Sequence, residues 1–235
     1  KNIKLHIKRI KAGCKALKIK NFNQDTLRSH IAKAISDQKN CILNINITRG
    51  TVKKRGYNIN IENISPNIIL TTSKMAKIPK SYNDNGIKTK FSKTRLFKTI
   101  EPLESIKHMN RLTQVLATSE LSKNYPELIM CDEDNNIIEG TSSNIFFVKG
   151  MNFYTPKIHG NSVEGVMRSV IINILKKNKY KINIKKINMK DIKNYDGAFF
   201  CNSIRLIWNI KDLSGYKYKN NNNIQSLIKL VDNEI

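Results

Sequence analysis

Long apolar runs are missing from this chain: no stretch of about 18 apolar residues occurs, so a membrane-spanning helix is excluded. Cysteine is sparse, at Cys14, Cys41, Cys131 and Cys201, and no two of them stand at metal-ligand spacing. The four histidines are dispersed as well, which argues against a zinc site. Unpaired, reduced and mostly buried thiols are what a cytoplasmic protein would carry. There is no internal repeat, and no secretory or transit segment precedes the first amphipathic pattern. The first residue is Lys1 rather than methionine, which reads as a start inside a longer protein. Acidic residues are scarce too, 18 against 42 lysines and arginines, leaving a formal charge of +24.

That charge points first toward nucleic acid. Its distribution points elsewhere. Lysine is spread along the whole chain with isoleucine and asparagine, as in Lys181-Ile182-Asn183-Ile184-Lys185-Lys186-Ile187-Asn188. Uniform enrichment of this kind is a codon bias acting on exposed positions. A specific nucleic-acid binder gathers arginine and aromatics on one face, so no specific nucleic-acid partner is expected.

Periodicity sets the organisation. Ile7, Ile10, Cys14 and Leu17 mark a helix over residues 3–18. Leu27, Ile31 and Ile35 mark a second one, capped by Asp25. Leu43, Ile45 and Ile47 then alternate with polar residues, the signature of a half-buried strand, and residues 68–72 supply its neighbour. The polar segment 81–86 separates a smaller α/β domain, 1–85, from a larger α+β domain, 86–235. In the larger domain a strand is expected at 87–92. Leu112, Val115, Leu116 and Leu121 signal a long helix after Pro102. Strands are expected at 127–132, 137–139, 144–149, 152–155, 181–188, 197–202 and 204–210, the first two as a hairpin. Helices are expected at 163–176, 190–194 and 224–231, and the asparagine run 220–223 reads as a surface loop.

Three segments carry chemistry. Lys107 lies among Ile106, Met109 and Leu112, an apolar surround that would lower an amine's pKa. Glu139 ends a strand just before Gly140-Thr141-Ser142-Ser143-Asn144. Its plainer reading is the polar end of a hairpin; its functional reading is a carboxylate facing a ring nitrogen. Residues 160–165 are rich in glycine and capping residues and open a helix whose free N–H groups would take an anion. No Lys-Ser/Thr pair follows the second glycine, so a nucleotide P-loop is excluded. Amine, carboxylate and anion-binding helix start are the parts needed to hold pyridoxal 5'-phosphate.

The order and wording of these segments resemble the fold-type IV pyridoxal-phosphate enzymes. Within that set, Ile106-Lys107-His108-Met109-Asn110-Arg111-Leu112-Thr113-Gln114-Val115-Leu116 looks most like the aminodeoxychorismate lyases. Thr48-Arg49-Gly50 with Arg55-Gly56-Tyr57, Gly165-Val166-Met167-Arg168 and Cys201-Asn202-Ser203 are similar to companion motifs there. The resemblance implies a two-domain α+β fold with its N-terminal part missing, because the family carries roughly 40 further residues before this start. It implies Lys107 as the Schiff-base lysine and Glu139 as the pyridinium partner. Arg9, Val163, Glu164 and Ser203 fall where the family holds the phosphate. Arg49 or Arg55 would take a substrate carboxylate, and Asn110 joins them as a substrate-binding candidate. A homodimer is implied by the same analogy.

The expected reaction is conversion of 4-amino-4-deoxychorismate to 4-aminobenzoate and pyruvate, in folate biosynthesis. A branched-chain or D-amino-acid aminotransferase on the same fold is the alternative, since Lys107 and Glu139 serve both reactions. A non-catalytic basic nucleic-acid binder and a paralogue that folds without cofactor are rivals of other classes.

Overall fold

The computed structural model describes the chain except residues 39, 53–55, 57–63, 76–78, 80–81, 83–84, 161 and 235. The chain divides into two units, Ile3–Lys77 and Ile78–Ile235, the latter joined by Lys1–Asn2.

The smaller unit consists of two helices and a two-stranded antiparallel sheet. Helix α1 (Ile3–Ala16) and helix α2 (Gln24–Ile35) cover one face of strands β1 (Cys41–Thr48) and β2 (Asn67–Lys74). Ile7, Leu27 and Ile31 from the helices meet Leu43, Ile45, Ile47, Ile68 and Leu70 from the strands. The period-two alternation of β1 therefore does what the sequence requires: one apolar row inward, asparagines out. α1 stops two residues short of expectation because Lys18 turns left-handed (φ 53°) and Ile19 N–H bonds back to Cys14 O at 2.8 Å. The cap of α2 is Asn23, not Asp25: the Asn23 side chain accepts from Asp25 N–H and Thr26 N–H at 2.8 and 3.0 Å.

The larger unit is built on a mostly antiparallel sheet. Its strands are β3 (Ile87–Thr89), β6 (Asn144–Lys149), β7 (Asn152–Pro156), β8 (Lys181–Lys185), β9 (Gly197–Asn202), β10 (Leu206–Leu213) and β11 (Tyr216–Lys217). They lie in the order β11-β10-β9-β6-β7-β8, with β3 parallel to β10 and β7 parallel to β8. A separate hairpin joins β4 (Ile129–Cys131) to β5 (Ile137–Gly140). Both faces of the sheet are covered, so the central strands read as near-continuous apolar runs. Phe146, Val148, Phe199 and Cys201 face helices α4 (Val166–Lys177) and α5 (Asn222–Glu234). Ile145, Phe147, Ala198 and Phe200 face the hairpin, Tyr195 and Trp208. The antiparallel register explains the sorting, pairing Phe146 with Phe199 and Ile145 with Phe200.

Three expectations change here. The helix after Pro102 is α3, only seven residues long (Leu112–Thr118), and its inward residues are Gln114 and Ala117. Leu112, Val115 and Leu116, the apolar row expected to face the core, are 72%, 61% and 62% exposed. The segment 181–188 is a strand only to Lys185, after which a 3₁₀ helix (Met189–Asn194) is opened by an Asn188–Asp191 capping box. The asparagine run does not stay a loop: Asn221 Oδ1 accepts from Asn223 N–H and Ile224 N–H, and α5 starts at Asn222.

Phe199 is fully buried and stacks on Phe146 with ring centroids 5.0 Å apart. Truncation opens a cavity between sheet and helices, so Phe199→Ala should cost about 3–5 kcal/mol in denaturant unfolding. A loss below about 1 kcal/mol would contradict this packing.

Candidate functional site

Glu139 sits on β5 with 5% exposure, at the last turn-side position before Gly140. Its Oε2 accepts from Val163 N–H at 2.9 Å. The Val163 carbonyl is held from the other side, accepting from Asn144 Nδ2 at 2.9 Å. The chain just ahead of helix α4 is thus gripped through both peptide groups of Val163, by the end of β5 and the start of β6. Gly165 makes the approach possible: a Cβ there would lie 2.0 Å from Asn144 Oδ1. Gly165 is also the N-cap of α4 and gives no side-chain cap, so the first N–H groups of the helix (Val166–Arg168) have no intrahelical partner.

The segment bearing Lys107 is tied to the same place. Glu164 N–H donates to Ser105 O at 3.0 Å, and Arg111 Nη2 donates to Ile106 O. Ser105 takes a left-handed turn (φ 66°), after which residues 106–111 run irregularly into α3. Lys107 therefore lies on an irregular segment, and it is exposed rather than buried by the apolar neighbours expected around it; Met109 and Leu112 are 72% exposed each. The physical reason is that α3 begins only at Leu112, so no helical surface wraps the lysine.

Electrostatics bind these pieces into one site. Burial, the largest influence, pushes the Glu139 carboxyl up to about 7. Against it act the Val163 N–H, the Arg111 charge, a hydrogen bond from Gln114 and the Lys107 charge. Lys107 thus lies within electrostatic reach of Glu139. Arg111 is lowered by its own burial and raised by Glu139 in return. A buried carboxyl raised toward neutrality, within the electrostatic reach of a primary amine, fits an aromatic ring nitrogen that must be held protonated. Pyridoxal 5'-phosphate fits these residues: amine at Lys107, carboxyl at Glu139, and an uncapped helix start for its anion.

Other expected residues fall differently. The N–H groups of Val163 and Glu164 are engaged by Glu139 and Ser105 O, so they do not offer themselves to a phosphate; the first turn of α4 does. Ser203 is exposed on the β9–β10 turn, framed by Asn202 Oδ1, which accepts from Ile204 and Arg205 N–H at 3.0 and 2.8 Å. Asn110 is exposed beside the lysine segment. In the smaller unit, Arg9 is half-buried on α1. Arg49 donates to Lys18 O and Leu17 O at 3.0 and 2.8 Å, which caps the end of α1. Arg55 lies outside the described residues. Sequence reasoning did not single out Arg111, Gln114 or Asn144, although all three stood inside quoted motifs. The signal lay in their spacing: Arg111 and Gln114 follow the lysine by four and seven positions, and Asn144 follows Glu139 by five.

The thiols do not compete for a catalytic role. Burial pushes Cys131 and Cys201 up to about 12, so neither supplies thiolate near neutral pH.

The chain is similar to proteins of one known family. The profile of amino-transferase class IV matches residues 2–213. An aminodeoxychorismate lyase of Vibrio harveyi is 27% identical over 202 residues, 85% of this chain and 73% of that protein. The crystal structure of 4-amino-4-deoxychorismate lyase from Pseudomonas aeruginosa superposes with TM-score 0.91 at 27% identity, covering 98% of this chain and 84% of that one. A branched-chain amino acid aminotransferase from T.th., solved with pyridoxamine 5'-phosphate, shares the fold at TM-score 0.84 and 18% identity, over 97% of this chain and 77% of that one.

Because the folded-state pKa of Glu139 is raised from 4.5 to about 7, its protonated form is favoured by folding. That contribution is complete below about pH 4.5 and is lost as pH rises through about 7. Cofactor-free Glu139→Gln should therefore gain on the wild type by roughly 3 kcal/mol between pH 4.5 and pH 8, read by urea unfolding. A wild-type-minus-variant difference that does not change with pH contradicts the buried, titrating carboxyl.

Proposed function

The chain belongs to the amino-transferase class IV family, and from that premise we propose that it is a pyridoxal-phosphate-dependent lyase converting 4-amino-4-deoxychorismate to 4-aminobenzoate and pyruvate. The observation that supports the reading is a buried Glu139 carboxyl, held by Val163 N–H and raised to about 7, on which the charge of Lys107 acts. The Ile106–Leu116 motif and the lyase relatives favour elimination over amino transfer.

Pyridoxal phosphate, when bound, supplies an aldehyde that captures amines and a pyridinium that accepts an electron pair. The residues do the rest. Lys107 Nζ would hold the cofactor and, displaced by the substrate amine, take the proton from the amine-bearing carbon. Glu139 would keep a proton at the ring nitrogen, and Val163 N–H and Gln114 would fix its carboxyl plane. The uncapped first turn of α4 would hold the phosphate dianion. By resemblance alone, Ser203 and Arg9 are assigned to the phosphate, and Arg49 or Arg55 to a substrate carboxylate.

Purified wild type should show a cofactor absorbance band and release pyruvate from aminodeoxychorismate with no keto acid present. Lys107→Ala should abolish the band and lower turnover at least about a thousandfold. A colourless wild type ends the proposal; turnover that needs a keto-acid acceptor replaces it with the aminotransferase.

A second copy of the chain is the proposed partner of the apolar surface beside the lysine. Phe97 (59%), Ile100 (72%), Met109 (72%) and the Leu112/Val115/Leu116 row of α3 are large apolar side chains exposed within one stretch of the chain. Light scattering should give a dimer, and Val115→Glu with Leu116→Glu a monomer. A monomeric wild type overturns this assignment.

A further inference from the structure

We propose that Glu127 is a positioning residue for the phosphate end of this site, acting through the 141–143 turn and Asn202 on the turn that carries Ser203. The inference rests on the pyridoxal-phosphate reading above. Glu127 is 1% exposed and collects four side-chain-directed donors. Oε1 accepts from Thr141 Oγ1 at 2.8 Å and Ser142 N–H at 2.7 Å. Oε2 accepts from Ser142 Oγ at 2.6 Å and Ser143 Oγ at 3.3 Å. Its backbone is pinned as well, because Thr89 Oγ1 donates to Glu127 O at 2.8 Å.

The chain of bonds then leaves the turn. Ser143 Oγ accepts from Asn202 Nδ2 at 3.1 Å. A hydroxyl has one proton, and Ser143 gives it to Glu127, so a lone pair is what remains for Asn202. That choice fixes the Asn202 amide with its nitrogen toward Ser143. Its oxygen is then the atom that accepts from Ile204 and Arg205 N–H and shapes the turn around Ser203. The direction of every bond follows from Glu127 being a pure acceptor.

Gly140 protects the arrangement. A Cβ there would stand 2.7 Å from Glu127 Oε1 and 3.0 Å from Phe200. Gly140 also donates its N–H to Ser143 O at 2.6 Å, closing the turn that follows Glu139. The turn that follows Glu139 is therefore held by one buried side chain, and Asn202, which frames Ser203, is linked to it through Ser143. Replacing it by glutamine puts an amide donor against hydroxyl donors. One serine must turn round, and Ser143 then competes with Asn202 instead of accepting from it.

The test compares binding of pyridoxal 5'-phosphate with binding of pyridoxal, which lacks the phosphate, to cofactor-free protein by absorbance titration. Glu127→Gln should weaken pyridoxal phosphate about tenfold and leave pyridoxal within about twofold. In a Ser143→Ala background the same substitution should add little. Asn202→Ala, the far link of the chain, should show the same selective loss and serves if Glu127→Gln does not fold. Equal weakening of both ligands, or no change in either, overturns the inference while leaving the parent reading intact. A wild type that binds neither ligand defeats the parent reading and this inference together.

Discussion

The fold around the site depends on one hydrogen bond, from Val163 N–H to the buried Glu139 carboxyl. A carboxyl taken out of water carries a large solvation penalty unless its oxygens are satisfied. Here the compensation is incomplete. One backbone N–H, a glutamine and two cations at a distance oppose burial, and burial still prevails, leaving the group near neutrality. A fully compensated carboxylate would sit low and stay charged. This one can carry or release a proton within the physiological range, which is the property a partner for a ring nitrogen needs.

Much of the local architecture follows from making that bond. Val163 must reach β5, so the chain entering α4 has to pass close to β6, and Gly165 supplies the missing Cβ. Asn144 then holds the Val163 carbonyl and fixes the direction in which the helix starts. The sheet beneath is rigid for a separate reason, namely that both its faces are packed with aromatic and aliphatic side chains. Asn144 and Asn202, at the ends of β6 and β9, inherit that rigidity, whereas Lys107 stands on an irregular, exposed segment between a left-handed turn and a short helix.

The strongly periodic parts of this fold were legible in the sequence. The helix–helix–strand order of the smaller unit, the β4–β5 hairpin and the apolar strands β6 and β9 follow from patterning alone. The surroundings of Lys107 were not. Leu112, Val115 and Leu116 form a row at helical spacing, and a row of leucine and valine reads as core. The structure turns that row outward and sends Gln114 inward, because the group waiting there is a carboxyl rather than a hydrocarbon. Periodicity detects faces, and it assumes that the buried face is apolar. A polar site breaks the assumption. Caps were misplaced for a related reason: where several asparagines and aspartates adjoin, as at 23–25 and 220–223, composition shows that a cap exists but not which residue makes it. The Gly140-Thr141-Ser142-Ser143-Asn144 run draws attention to Glu139 in the sequence, but its burial and its bond to Val163 N–H are visible only in the structure. The commitment of the Val163 and Glu164 N–H groups was not legible either, since it depends on Glu139 and Ser105 being brought alongside.

Two buried carboxyl side chains flank the 140–143 turn, and the difference between them is instructive. Glu127 is saturated, with Thr141, Ser142 and Ser143 filling both its oxygens from within a single turn. Glu139 has the Val163 N–H on one oxygen and otherwise faces a mixed set, Gln114, Arg111 and Lys107, that a bound ligand could rearrange. Saturation makes a carboxylate a scaffold, because each donor would be left stranded if it moved. Partial satisfaction leaves a carboxyl responsive, because a positive charge arriving beside it gains what burial had withheld. The net charge of +24 has little to do with either. A few buried groups, whose partners are fixed by the turn chemistry of Gly140 and Gly165, decide what this surface of lysines encloses.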